Sequence, residues 1–160
     1  MKRVKAFFCV VAVFFLCGHF ALQARANELE GFRGLRWGTG LSSLGYAKFI
    51  EEIEGIKYYR KMNDEMHLGT AGIKDIAYAY SQKGLVGVIV FSKGKENARL
   101  IFETLKHAYS APSKRGENNY YWRFGGESSI FYNFNPSSEN LFVSYMTQDV
   151  AGKLRLPRQR

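Results

Sequence analysis

The glycine-rich segment from Trp37 to Ser43 is the part of the sequence best suited to bind a ligand. It lies between a predicted strand and a predicted helix, and backbone N–H groups at a helix start can hold an anion. The glycine spacing matches neither the dinucleotide fingerprint nor the phosphate-binding loop of nucleotide hydrolases. A tight turn capped by Ser42 or Ser43 and a ligand site both stay open. In the second interpretation the site residues are Trp37, Gly38, Thr39, Gly40 and Ser42.

A second candidate is the polar segment Asp64-Glu65-Met66-His67, which contains three side chains of metal-ligating type. Only one histidine lies there, so a solvated loop is the plainer interpretation. The sequence has no Gly-x-Ser-x-Gly elbow for a nucleophilic serine. Neighbouring carboxylates such as Glu51 and Glu52 would diverge by about 100° on a helix. We therefore predict a protein that is not an enzyme and that needs neither a metal nor a cofactor.

Aromatic residues make up 16% of the chain and suggest a third kind of site. Strand alternation places one set on the sheet face opposite a second set, and helices would leave one face uncovered. An aromatic face near Arg123 would suit a protein partner, a peptide or a glycan. The alternative is that these tyrosines lie half exposed on the sheet and have no binding role. The first set is Tyr59, Tyr121, Phe131 and Phe142, and the second is Tyr58, Tyr120, Tyr132 and Tyr145.

The sheet that would position these candidate residues is predicted to be built around a hairpin from Asp75 to Ser92. Bulky and small residues alternate from Ile76 to Ser81, which indicates a strand with one face under a second layer. The return strand, Leu85 to Phe91, is apolar on both faces and should lie inside a sheet. A similar hairpin is predicted from Ile130 to Tyr145.

Two helices are predicted to cover this sheet. Tyr46, Phe49, Ile50 and Ile53 follow helical spacing after Ser42 or Ser43, and Gly55 would end that helix. A second helix is predicted from about Lys95 to Tyr109, before Ala111-Pro112. Further strands are predicted at Phe32–Trp37, Ile56–Met62 and Tyr120–Phe124.

The predicted fold class is α+β, an antiparallel sheet with both helices packed on one face. The predicted order is β-α-β-β-β-α-β-β-β. The similar order of elements in the two halves suggests an internal duplication, and chance similarity between aromatic hairpins is the alternative.

The N-terminus has the pattern of a secretory signal peptide. Lys2, Arg3 and Lys5 precede an apolar run, and Ala24-Arg25-Ala26 is a small-x-small cleavage site. A lipoprotein signal at Cys17 is disfavoured because the large Leu16 precedes the cysteine. We expect residues 1–26 to be removed, leaving a single domain at residues 27–151 without any cysteine. The periplasm, or secretion from the cell, is the expected location.

The net charge of +9 is concentrated at the two ends of the chain. The predicted signal peptide and residues 152–160 hold much of the basic excess, so the body is nearly neutral. A general nucleic-acid surface is therefore not expected. The tail at residues 152–160 contains Pro157 and is predicted to be disordered. It would act either as a tether to an anionic membrane or as a solubilising end.

The segment FRGLRWGTGLSSL, with YYWRF and the later aromatic hairpin, resembles small exported bacterial proteins that carry a Trp-Gly-Thr motif and have no assigned function. A weaker similarity connects the chain with small lipoproteins of outer-membrane assembly, although the predicted mature chain lacks their lipid-anchoring cysteine. The leading hypothesis is a non-catalytic exported binding or accessory protein, with an envelope protein, peptide or glycan as its partner. The alternatives are a small envelope hydrolase and a carrier of an anion or small ligand at Gly38–Ser43.

Overall fold

The computed structural model describes residues 29–154, in which one broad antiparallel sheet carries a single long helix. The predicted signal peptide and residues 155–160 of the predicted tail lie outside the described residues. The strands are β1 Gly31–Phe32, β2 Leu35–Arg36, β3 Ala47–Ile53, β4 Ile56–Lys61, β5 His67–Leu68, β6 Ala71–Gly72, β7 Asp75–Ser81, β8 Gly84–Lys93, β9 Ser113–Lys114, β10 Asn119–Phe124, β11 Ser128–Asn135 and β12 Asn140–Thr147. The helix α1 spans Lys95–Tyr109, and 3₁₀ turns span Leu41–Leu44 and Gln148–Val150.

The main sheet has eight strands in the order β3-β4-β7-β8-β12-β11-β10-β9. The first four run in chain order from one edge to the centre, and the last four run from the other edge to the centre. The two predicted hairpins are confirmed as β7–β8 and β11–β12. In the central pair, Val88 lies opposite Tyr145 and Val90 opposite Val143. This inner position explains why β8 is apolar on both faces.

Helix α1 packs on one side of the sheet, which we call the helix face. Ala98, Ile101 and Leu105 are buried there, and the helix bounds agree with the sequence-based prediction. The Tyr132 hydroxyl donates a hydrogen bond to the Ala98 carbonyl oxygen at 3.1 Å. The main core of the protein lies between the helix and the sheet.

The predicted α+β fold with two helices is wrong, because the segment predicted as the first helix forms strand β3. Tyr46 and Phe49 are 78% and 51% exposed, so no buried helical stripe exists there. A β-bulge between Phe49 and Glu51 adds one residue to the strand, and Ile50 and Ile53 pack together on the opposite side of the sheet. The extra residue gives the strand a spacing that imitates a helix.

Short hairpins and a 3₁₀ turn occupy the place of the missing helix. The predicted strand Phe32–Trp37 is wrong, because Arg33 and Gly34 have positive φ angles of 49° and 79° and divide it into β1 and β2. The Phe32 ring packs 4.8 Å from the Tyr145 ring, measured between centroids. The β5–β6 hairpin and the buried Leu44 complete this layer. The predicted element order is therefore also wrong.

The other side of the sheet, which we call the far face, is buried over its central strands. Leu154 lies above Gly87, where an added Cβ would be 2.8 Å from Leu154 Cδ1. The far face is thus not the broad open aromatic surface that we expected. Within residues 29–154, no helix is both long enough and apolar enough to cross a bilayer. The buried residues of this face include Ile56, Tyr58, Ala77, Ala79, Ile89 and Phe91, with Val150 beside them.

Candidate ligand-binding groove

The glycine turn is joined to the start of β8 by backbone hydrogen bonds. The Gly38 N–H donates to the Leu85 carbonyl at 2.8 Å, and the Leu85 N–H donates to the Thr39 carbonyl at 2.9 Å. The Trp37 indole N–H donates to the Leu29 carbonyl. These contacts fix the position of the turn next to the β7–β8 hairpin.

Close contact with Gly38 explains why position 84 is glycine, whereas Gly38 is explained by its own φ of 80°. Gly84 has a φ of 92°, and a Cβ there would lie 2.2 Å from the Gly38 carbonyl oxygen. The predicted capped helix does not follow this turn. Residues Leu41–Leu44 form one 3₁₀ turn, and its N-cap, Gly40, makes no side-chain capping bond. The predicted capping role of Ser42 or Ser43 is therefore wrong, because no α-helix begins here.

A groove of about 620 Å³ lies between this turn, the β3–β4 hairpin and the β7–β8 turn. It brings together three of the predicted site residues, namely Gly38, Gly40 and Tyr59. Trp37 lines a separate depression beside Leu29, and Thr39 donates its hydroxyl to the Arg36 carbonyl at 2.9 Å. Ser42 is exposed outside the groove lining. The lining residues are Gly38, Gly40, Leu41, Glu52, Gly55, Lys57, Tyr59, Tyr80, Ser81, Gln82, Lys83 and Gly84.

Tyr80, in the groove lining, carries a buried hydroxyl without a hydrogen-bond partner among the described residues. The residue is only 5% exposed. Burial, and then the neighbouring Tyr59, raise the pKa of Tyr80, so its hydroxyl stays protonated near neutral pH. A buried polar group that lacks its partner destabilises a fold by about 1–3 kcal/mol. Such a group needs an explanation, and a ligand is one.

An aromatic row and a pair of opposite charges extend from Tyr80. The Tyr59 ring lies 5.8 Å from the Tyr80 ring and 5.6 Å from the Phe49 ring, both edge to face. On the same face, Glu52 lies opposite Lys57, which in turn lies opposite Tyr80. Both charged side chains are exposed at the mouth of the groove. Sequence reasoning missed Phe49, Glu52 and Tyr80 as site residues, because only the sheet register brings them together.

The predicted aromatic surface is divided between the two sides of the sheet. Tyr59 lies on the helix face opposite Tyr78, whereas Tyr58 is in the far-face cluster. The expected faces of these two residues are therefore wrong, because strand pairing sets the face and an offset of one residue reverses it. Tyr121 contacts Phe131 on the far face, and the Arg123 guanidinium lies 5.3 Å from the Tyr121 ring centroid.

The polar segment Asp64-Glu65-Met66-His67 holds a structural ion pair. The Asp64 carboxylate accepts hydrogen bonds from Arg33 Nη1 at 3.2 Å and from the Tyr78 hydroxyl at 2.6 Å. Its side chain is only 7% exposed, so the interpretation as a solvated loop is wrong for this residue. Among residues 29–154 no group of three His, Cys, Asp or Glu side chains is arranged to hold a metal ion.

A second depression, of about 530 Å³, is lined by Arg60, Lys61 and Asp75 among others. The Arg60 guanidinium and the Asp75 carboxylate are already hydrogen-bonded to each other, because Arg60 donates to both Asp75 oxygens at 2.6 and 2.5 Å. Side-chain bonding and proximity to Asp75 raise the pKa of Arg60, which keeps the pair charged. This depression therefore offers less to a ligand than the groove beside Tyr80.

Ser129 is the second buried group without a partner among the described residues. It pairs with Arg123 and Met146 in the sheet, away from the groove. The candidate site is therefore the groove between the glycine turn and the aromatic row. No family model, no curated protein and no solved structure matches this chain, so its geometry alone defines the site.

Proposed function

We propose that this chain is a non-catalytic, exported binding protein that holds a small polar ligand in the groove. The observation that carries the proposal is the buried hydroxyl of Tyr80, a groove-lining residue, for which residues 29–154 provide no hydrogen-bond partner. A ligand that bonds this hydroxyl would relieve the penalty of an unmade hydrogen bond. The free protein would then be less stable than the complex, as expected for a site built for binding.

The composition of the groove also supports binding in preference to catalysis. Small-molecule sites combine apolar walls with a few placed polar groups, and volumes of about 300–1,000 Å³ are typical. Tyr59 and Leu41 supply apolar surface, while Lys57 and Glu52 supply a donor and an acceptor. Among the described residues, the lining contains no histidine that could act as a general base. A carrier of a small ligand beside Gly38 and Gly40 therefore fits better than an envelope hydrolase.

Three backbone N–H groups of the glycine turn are already bonded and cannot hold an anion. The N–H groups of Gly38, Thr39 and Ser43 already donate to carbonyl oxygens of the protein. Lys83 is bound to Asp149 at 3.1 Å, which leaves its charge compensated. The ligand is therefore expected to be polar and to carry little net charge.

Export is the second half of the proposal and has a separate test. The N-terminal pattern supports cleavage after Ala26. Sequencing the N-terminus of protein recovered from the periplasm or the medium should give Asn27 as the first residue. Recovery with Met1 retained would show that the chain is not processed in this way.

Binding is tested by following backbone amide chemical shifts during titration with four probes: a neutral disaccharide, a dipeptide, free amino acids and inorganic phosphate. At least one probe should shift the amides of Gly38, Tyr59 and Tyr80 in a saturable manner. The variant Tyr80→Phe should weaken that binding, whereas Tyr121→Phe on the far face should not. Shifts confined to other regions, or none with any probe, would contradict the proposal.

A further inference from the structure

We infer that the ligand of the groove is a neutral saccharide. This inference rests on the proposed binding function and assigns a chemical class to its ligand. It depends on three features of the groove: the aromatic row, the balanced charges at its mouth and the hydroxyl of Tyr80.

The aromatic row presents surface suited to a sugar ring. The edge-to-face angles are 68° between Phe49 and Tyr59 and 89° between Tyr59 and Tyr80, so successive rings differ strongly in orientation. Aromatic faces carry partial negative charge, which attracts the weakly positive C–H groups on one side of a pyranose. Phe49 is half exposed, so its ring is open to a ligand that extends beyond the groove.

The charges that line the groove balance one another. Glu52 and Lys57 lie opposite each other on β3 and β4, and Lys83 is compensated by Asp149. The lining holds two lysines and one glutamate, and Asp149 outside it compensates Lys83, so the groove has little electrostatic preference for an anion or a cation. A carboxylate accepts hydrogen bonds and an ammonium donates them, whereas a sugar hydroxyl does both. Neighbouring hydroxyls of one neutral ring can therefore bond to both side chains.

The Tyr80 hydroxyl matches the same ligand. It can donate one hydrogen bond and accept others, as a sugar hydroxyl can. The Tyr59 ring lies 5.8 Å from the Tyr80 ring and is half buried, so it is partly open to a ligand in the groove. A sugar that stacks on this ring and bonds beneath it would use both aromatic residues at once.

A peptide fits this part of the groove less well, because the backbone at the start of β8 is already paired. Extended peptides commonly bind by adding a strand to a free sheet edge. At this end of β8 the Leu85 N–H and carbonyl are both bonded to the Gly38-Thr39 turn. A peptide therefore cannot add a strand at this end of β8.

The inference is tested with the protein purified from the periplasm and three neutral disaccharides: cellobiose, maltose and diacetylchitobiose. Amide chemical shifts should change at Tyr59, Tyr80 and Lys57 with at least one of them. Tyr80→Phe should weaken binding by about tenfold, the effect of one lost hydrogen bond. Tyr59→Ala should weaken it further. The matched control Tyr121→Ala, an aromatic residue on the far face, should leave binding unchanged.

The outcomes separate this inference from the proposed function. If no disaccharide binds, but a dipeptide or phosphate shifts the groove amides and needs Tyr80, the ligand class is wrong and the binding function stands. The ligand class is also wrong, and the binding function stands, if a charged probe binds at least tenfold more tightly than every disaccharide. If no probe affects the groove in either the wild type or Tyr59→Ala, both are wrong.

Discussion

Tyr78 and Tyr80 lie two residues apart on the same face of strand β7, yet their hydroxyls differ in hydrogen bonding. The Tyr78 hydroxyl donates to Asp64, whose carboxylate also binds Arg33. The Tyr80 hydroxyl is buried with no partner among the described residues. The first region is a closed polar network that fastens a loop to the sheet. The second is an incomplete network that borders a groove.

The difference teaches how structural and ligand-binding polar groups can be told apart on one strand. A network whose members are all bonded stabilises the fold and leaves nothing for a ligand. A buried group without a partner lowers stability unless something outside the chain completes it. Substitutions in the two regions should therefore differ in size and in their dependence on a ligand.

The largest expected effect is a loss of stability at high pH, and it should affect both regions. Five buried or half-buried tyrosines have pKa values above about 10, the value in an unfolded chain, and burial is the main cause. For Tyr78, the hydrogen bond to Asp64 raises the pKa further. Their stabilising contribution is complete below about pH 10, where unfolded tyrosines are still neutral. For Tyr78, Tyr132 and Tyr145, whose pKa values are raised the most, this contribution is lost as pH rises further, by up to about 1.4 kcal/mol per pH unit for each group. Tyr80 and Tyr109 lose stability in the same direction and by less. The side chains concerned are Tyr78, Tyr80, Tyr109, Tyr132 and Tyr145.

Urea unfolding at intervals between pH 8 and pH 11.5 measures this effect, with tyrosinate absorbance as a second signal. The free energy of unfolding should be nearly constant up to about pH 9.5 and should then fall steeply. An unchanged free energy at pH 11 would show that these hydroxyls ionise as freely in the folded protein as in the unfolded chain.

The next largest effect is expected from Asp64→Ala in the closed network. The substitution leaves the Arg33 guanidinium and the Tyr78 hydroxyl without their shared partner. Removing one member of a buried ion pair lowers stability by about 3 kcal/mol or more, and partial exposure of Arg33 places this case near 2–3 kcal/mol. Urea unfolding at pH 7 provides the measurement.

The matched control for this change is Glu30→Ala. Glu30 lies 3.8 Å from Arg36, and both side chains are more than half exposed. Exposed ion pairs contribute about 0–1 kcal/mol, so the control should alter stability by less than that. Equal losses in the two variants would show that burial of Asp64 has no influence.

A smaller effect is expected from Tyr78→Phe, which removes one hydrogen bond and keeps the ring. Asp64 retains its bond to Arg33, so the loss should be about 1–2 kcal/mol in urea unfolding. A loss below about 0.5 kcal/mol would mean that the Asp64 bond to this hydroxyl is not important for stability.

The smallest effect is expected from Tyr80→Phe, the same chemical change two residues later. Because no described residue bonds to this hydroxyl, the free protein should keep its stability or gain up to about 1 kcal/mol. Urea unfolding without ligand makes the direct comparison with Tyr78→Phe. A loss as large as that of Tyr78→Phe would show that the Tyr80 hydroxyl is bonded in solution and would weaken the proposed site.

Local sequence patterns correctly predicted the helix and the hairpin that are formed by residues close together in the sequence. Helix α1 was predicted at its observed bounds because its apolar stripe and Pro112 give unambiguous signals. The β7–β8 hairpin was predicted from alternation and from a glycine turn. The helix predicted from Tyr46 to Ile53 is wrong, because a β-bulge and a helix produce similar spacings of apolar residues.

The candidate site was only partly predictable. Gly38 and Gly40 stand out in the sequence, and Tyr59 was identified by its aromatic character. The alternation from Ile76 to Ser81 predicted only that Tyr80 lies on the bulky face of a strand, because the isolation of its hydroxyl depends on neighbours from other strands. Tyr121 and Arg123 were placed with Tyr59 because the register of separate hairpins cannot be derived from alternation alone.

The mirrored order of the strands has a consequence for folding kinetics. Within each half of the sheet, every strand pairs with a strand close to it in the sequence, and such contacts form quickly. In the sheet formed by residues 29–154, only the β8–β12 pair joins the halves, and it must close a loop that contains α1 and three strands. Formation of that pair should limit the folding rate. In chevron measurements, Val143→Ala should therefore mainly slow folding, whereas Ile53→Ala at the outer strand should mainly speed unfolding.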